Sequence, residues 1–310
     1  MKIKLGQLLS AVDRLRLAEY LKTLISRLPP PTLRNLWLTL CALVATQNLV
    51  VFTNTQITGN AITALLVWGG ALICMEDQIE DLRPRPSFLG LFIGTSLTMY
   101  SLYRTSTIFN SDSFLYFLPP VVGFGLVLMV APFKEILKFK DSFIILLLLP
   151  SFVVIQIIVA TYVTDDLSLL TAKFVLFWLG ILGITPVQII GNTVYTVGGA
   201  VQVMHECNGF EMIMQMLITA IIFLVAFPLR SRLGKALVII SAPLIGFIIN
   251  SLRITFLAFF TSFNSTMGRT LFDFFHEQVG SLIFSGIAVF ILGYLYLAVL
   301  ERELPPLHDH

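Results

Sequence analysis

Long apolar runs separated by short polar connections dominate this chain. Eight of them, at 36–52, 57–74, 88–103, 114–132, 142–161, 210–229, 236–260 and 279–300, carry at most one charged residue each. A helix needs about 20 apolar residues to cross the roughly 30 Å of bilayer hydrocarbon. Uninterrupted apolarity at this length favours helix over strand. The pattern predicts an all-α polytopic membrane protein with about eight transmembrane helices.

The stretch between the fifth and sixth runs departs from that pattern. The apolar run at 174–184 has only 11 residues and starts after Lys173, too short to cross, so 167–184 is expected to be an interfacial or partly inserted helix. After Pro186 the chain turns to β-branched segments parted by Gly191-Asn192 and Gly198-Gly199, which predicts a small β-hairpin or meander. Open sheet edges are not viable in hydrocarbon. The hairpin is therefore expected at a membrane surface, leading into His205-Glu206-Cys207-Asn208-Gly209.

Composition agrees with a lipid solvent. Charged residues make up 12% of the 310 positions, against about 25% in soluble domains, and mean hydropathy is +0.88. A net charge of +2 with no basic patch does not point to nucleic acid; the bilayer is the expected partner. The distribution of basic residues sets topology instead. Residues 1–34 are rich in Lys and Arg and carry Leu and Ile at amphipathic spacing, ended by Pro29-Pro30-Pro31; they are expected to form a cytoplasmic amphipathic segment. The loop holding Arg230, Arg232 and Lys235 is the clearest cytoplasmic signal in the second half. The expected division is 1–34 cytoplasmic, 35–161 with the first five crossings, 162–206 external, 207–300 with the last three crossings, and 301–310 a cytoplasmic tail. Cys207 then faces the external side.

The same loop serves as a ruler. At 1.5 Å per helical residue, Cys207 lies about 34 Å from Arg230, Arg253 about 27 Å from Lys235, and His276 about 37 Å from the end of the last helix. Three reactive residue types from three segments converge on one depth. Cys41 and Cys74 are read as small buried hydrophobes, whereas Cys207 stands among Glu206, Asn208 and His205, where a thiol can meet a charge or a base. Arg253 shares an otherwise apolar helix with Asn250 and Ser251, and an ionisable residue in such a place is a functional candidate. Two histidines compete as base: His276, after Phe274-Phe275, and His205, two residues before the cysteine, with His205 more readily an ordinary loop residue. The chain has no His-Glu-x-x-His element and its cysteines do not cluster as metal ligands, so no metal or cofactor is expected.

Glu206-Cys207-Asn208-Gly209 opening a helix, Asn250-Ser251-Leu252-Arg253-Ile254 near the end of the next, and His276-Glu277-Gln278-Val279-Gly280 opening the last resemble the exosortase/archaeosortase family, in particular its cyanobacterial members. The resemblance covers 167–300. It implies a cysteine protease or transpeptidase of the plasma (inner) membrane. The substrates it implies are exported proteins with a C-terminal sorting signal: a Pro-Glu-Pro motif, a transmembrane helix and a basic tail. By this similarity Cys207, Arg253 and His276 correspond to the catalytic trio, with Glu206, Asn208 and Asn250 in support. The family usually has Ser after the cysteine, where this chain has Asn208. The chemistry implied is attack by the Cys207 thiolate on a peptide carbonyl, proton transfer by His276, and oxyanion or substrate stabilisation by Arg253. A membrane transporter would instead place polar groups at mid-bilayer in repeated halves; a non-catalytic scaffold of a polysaccharide system is the other alternative.

Overall fold

The computed structural model describes residues 33–55, 58–75, 78, 87–108, 113–185, 187–263 and 265–303. The expected amphipathic segment at 1–34 lies almost wholly outside these residues, as does most of the tail at 301–310. The described chain is mainly α-helical: α1 (Leu33–Asn54), α2 (Thr58–Ile73), α3 (Phe88–Ser106), α4 (Phe114–Leu128), a 3-10 helix (Phe133–Phe139), α5 (Lys140–Leu146), α6 (Leu148–Tyr162) and α7 (Thr164–Ile181) come first. Strands β1 (Gln188–Ile190), β2 (Thr193–Tyr195) and β3 (Ala200–Gln202) follow, then a 3-10 turn at His205–Cys207, and finally α8 (Phe210–Ala226), α9 (Arg232–Thr261), α10 (Thr266–His276) and α11 (Gln278–Glu303).

Among the described residues, five segments are long and apolar enough to cross a bilayer: Arg34–Asn54, Phe133–Val159, His205–Ala226, Arg232–Thr261 and Val279–Glu303. The apolar helices at Ala61–Ile73 and Phe114–Leu128 are shorter. α3 is a full 19-residue helix, but its buried side is small and partly polar: Gly94, Thr98, Ser101 and Thr105 are buried, with Gly94 and Thr98 against Gly125 of α4. Thr98 and Thr105 return their hydroxyls to the carbonyls four residues back, at 2.9 and 2.7 Å, a means of burying hydroxyls without an unpaired donor.

The fifth apolar segment begins earlier than its composition indicates. Residues 133–141, which part the apolar runs at 114–132 and 142–161, are helical and run into the span, and Lys138 pairs with Glu135 at 2.9 Å. The α-helix is interrupted at Leu147 and resumes at Leu148. Pro150 accounts for this, because proline lacks the N–H that would bond the carbonyl of residue 146 and crowds it sterically.

The expected β element is a three-stranded antiparallel sheet in the order β1-β2-β3, with Val194 opposite both Ile189 and Val201. The helix expected at 167–184 forms as α7, shifted three residues toward the N-terminus, and it is not among the segments apolar enough to cross.

Three buried clusters meet around the start of α8. One joins α1, α2, α4, α5 and α6 to Phe210, Met214, Ile218 and Ile222 of α8. Within it a row of rings leads inward, Phe52 to Tyr116 at 5.2 Å, Tyr116 to Phe152 at 6.0 Å and Phe152 to Phe210 at 6.1 Å. The second packs α8, α9 and α11 through Met216, Ala220, Ala242, Ala288 and Leu292. The third seats α7 and the sheet on α9 through Val175, Leu179, Val194, Val201, Ile254 and Leu257. Many large apolar side chains point outward, Phe88, Phe92, Leu137 and Phe290 among them, as lipid-facing surfaces require. Helix association in lipid then depends on close packing and internal hydrogen bonds.

At the end of the bundle far from Cys207, the last residue of α11 closes the structure. The Glu303 carboxylate accepts backbone N–H groups of Arg230 and Ser231 in the α8–α9 turn. The Tyr296 hydroxyl donates to the carbonyls of Phe223 and Phe227 at the end of α8.

Candidate active site

Gly209 decides how the chain enters α8. Its φ of +95° lies in the left-handed region, which side chains with a Cβ occupy only under strain. It turns the chain between the 3-10 turn ending at Cys207 and the first residue of α8. A Cβ at 209 would lie 2.9 Å from Asn250 Nδ2, so glycine also permits α9 to approach.

That approach is used at once. Asn250 Nδ2 donates to the Cys207 carbonyl at 3.0 Å, and from the other side Thr171 Oγ1 of α7 donates to the Asn208 carbonyl at 2.8 Å. Asn208 is fully buried, and its Oδ1 accepts from the Phe210 N–H at 3.0 Å, satisfying one of the free donors of the α8 N-terminus. The backbone around Cys207 is therefore fixed from α7, α9 and α8 together. The Cys207 thiol is free and half-buried.

Arg253 sits one turn beyond Asn250 on α9 and is 9% exposed. Its Nη2 donates to the His276 carbonyl at 3.1 Å and its Nε to the Phe275 carbonyl at 3.5 Å. These carbonyls end α10, where the helix has no partners of its own to offer, and a cation there also complements the helix dipole. Two of the three guanidinium nitrogens are thus committed to backbone. Nη1 has no partner among the described residues, and the charge acts on both Cys207 and Glu211.

His276 is brought to the site by its main chain. Its ring is exposed and stacks on Phe272, with centroids 5.4 Å apart and planes 11° from parallel. The ring makes no hydrogen bond among the described residues. His205 is half-buried and places Nδ1 3.5 Å from Thr164 Oγ1 at the start of α7. Of the two histidines expected as candidate bases, His205 opens the cysteine turn and His276 reaches the site through its carbonyl on Arg253; among the described residues neither is hydrogen-bonded to the thiol.

A cavity of about 20 Å³ lies under the turn, enclosed by Glu206, Glu211, Asn250 and Arg253 together with Gln215, Thr63 of α2, and Ser281 and Ser285 of α11, large enough for one water. Glu206, Asn250 and Arg253 were expected here from the sequence; Glu211, Gln215, Thr63, Ser281 and Ser285 were not. The signal for two pairs was present. Glu211 and Gln215 are four apart on α8, and Ser281 and Ser285 are four apart on α11, so each pair shares a helix face. The buried Nε2 of Gln215 has no hydrogen-bond partner among the described residues.

Curated proteins and solved structures provide no significant match to the chain. The family model of transmembrane exosortases matches residues 53–293, reaching back through the first-half helices that the three polar motifs alone did not cover. With the match extending over most of its length, the chain belongs to the transmembrane exosortase family.

Proposed function

We propose that this chain is a membrane-embedded cysteine protease or transpeptidase that cleaves the C-terminal sorting signal of exported proteins through a thioacyl-enzyme at Cys207. The thiolate attacks the scissile carbonyl, His276 takes the thiol proton and returns it to the leaving amine, and the acyl group then passes to water or another nucleophile. Arg253 carries the charge that meets the developing oxyanion. The observation that supports this reading is the uncommitted Nη1 of Arg253. The arginine is held by two bonds to backbone and keeps donors spare, so no reorganisation is needed when negative charge appears. His276 is the less prepared member, with its ring on Phe272; catalytic hydrogen bonds of this kind commonly tighten only when substrate is seated.

In this reading the site faces outward from the plasma (inner) membrane, with about eight crossings and both termini inside. Charge distribution in the connections supports that orientation.

The test is co-expression with a reporter that ends in a Pro-Glu-Pro motif, a transmembrane helix and a basic tail. The wild-type chain is expected to shorten the reporter, Cys207→Ala to leave it intact, and mass spectrometry to find an acyl adduct on Cys207. Equal processing by Cys207→Ala overturns the reading in favour of a transporter or a scaffold.

A further inference from the structure

We propose that the cavity under the cysteine turn holds the nucleophilic water of the second half-reaction, with Glu211 as the base that activates it, so that the acyl group leaves Cys207 by hydrolysis. This rests on the function proposed above and names the acceptor and a further catalytic residue at the same site.

Size selects the acceptor. The cavity measures about 20 Å³, against the roughly 10–15 Å³ that one water needs, and an amine with its carbon chain does not fit. The lining is what a held water requires. Gln215 is 4% exposed, and its Nε2 donor has no partner among the described residues. A buried donor without a partner is costly, and a water accepting from Gln215 removes that cost. Ser281 and Ser285 add hydroxyls to the wall.

Position selects the base. Glu206 and Gly209 line the cavity and flank Cys207 in the chain, so the water adjoins the residue that carries the acyl group. Glu211 is exposed and lines the same cavity, which lets the water be replenished from outside. It stands four residues before Gln215 on α8, so its carboxylate and the buried amide address one point. The His276 ring stacks on Phe272 and does not line the cavity. His276 thus serves the leaving amine and Glu211 the water.

In this step the Glu211 carboxylate takes a proton from the water as its oxygen bonds the thioester carbonyl carbon, and Arg253 meets the oxyanion. The tetrahedral intermediate collapses, the C–S bond breaks, and Glu211 returns the proton to the Cys207 thiolate. An acid in the first turn of a helix also complements its dipole. That role alone would cost Glu211→Gln some stability and slow both half-reactions in proportion.

The test follows the reporter on the full chain in membranes, in isotopically labelled water. The shortened wild-type product should carry one labelled oxygen at its new C-terminus. Glu211→Gln is expected to form the acyl adduct on Cys207 near the wild-type rate and to release it about a hundredfold or more slowly, the usual size of a lost general base, so the adduct accumulates. Hydroxylamine, which attacks thioesters without a base, should discharge it, and Glu211→Asp should recover part of the release rate. A product joined to an amine or lipid overturns the proposal. So does a Glu211→Gln protein that releases the acyl group normally, slows both half-reactions equally or forms no adduct, and so does trapping by Glu206→Gln and not by Glu211→Gln. In all of these cases Cys207→Ala still abolishes cleavage. If Cys207→Ala continues to cleave, the proposed function falls and the hydrolytic step falls with it.

Discussion

Arg253 and His276 are joined through the histidine's main chain: Nη2 donates to its carbonyl oxygen at 3.1 Å, while the imidazole turns away onto Phe272. The arginine therefore fixes where the α10–α11 corner sits relative to Cys207, besides carrying charge. Positioning and electrostatics share one side chain.

Replacing that side chain separates the two contributions. Arg253→Lys keeps a charge but cannot bridge the carbonyls of Phe275 and His276 as a fork. Loss of a hydrogen bond from a buried charge costs about 1.5–3 kcal/mol, so the thermal midpoint in detergent should fall and reporter cleavage should drop at least tenfold. Cleavage at the wild-type rate by the lysine variant would show that charge alone suffices.

Gly209→Ala should destabilise the site through backbone strain. The left-handed φ of +95° costs a residue with a Cβ about 1–2 kcal/mol, and the added methyl meets an Asn250 side chain anchored on the Cys207 carbonyl. Lower thermal stability together with faster alkylation of Cys207 is expected, since the turn holding the thiol loosens. Gly191→Ala, also at positive φ but in open space, should change stability without changing alkylation.

The two histidines are separated by the rate of Cys207 alkylation. If His276 is the base that takes the thiol proton, His276→Ala slows alkylation several-fold and His205→Ala leaves it near the wild-type rate. The opposite result assigns the base to His205, which already faces Thr164.

Orientation is measured by labelling. In a background with Cys41, Cys74 and Cys207 replaced by alanine, Val197→Cys and Leu233→Cys, at positions 74% and 78% exposed, report on opposite ends of the bundle. An impermeant maleimide should label Val197→Cys on intact cells and Leu233→Cys only after permeabilisation. The reverse pattern places the site inside.

Apolar length made the long helices legible, because a run of about 20 uncharged residues has few alternatives to a lipid-facing helix. The same rule is weak where helices are short or face protein. Ala61–Ile73 and Phe114–Leu128 fall short of a full crossing, and the Gly94, Thr98, Ser101 and Thr105 face of α3 is suited to α4 and not to lipid. Lys134, Lys138 and Lys140 interrupt the apolar pattern, yet their segment coils into a 3-10 and then an α-helix, with Glu135 and Lys138 paired on its surface. In the site, Asn250 and Arg253 stood out because polarity is rare within an apolar helix. Thr63, Ser281 and Ser285 did not, since their place beside Arg253 arises only once α2, α8 and α11 pack.

The Glu303 clasp and the Tyr296 hydroxyl bind α11 to the end of α8 and to the turn that begins α9, so α8 and α11, which begin just after Cys207 and His276, and α9, which carries Arg253, form a tripod cinched at its foot. Small rocking of a leg about a fixed foot becomes its largest displacement at the opposite tip. On the function proposed above, the candidate residues occupy that tip, so a substrate would enter at the end where the bundle yields most easily while its foot stays shut.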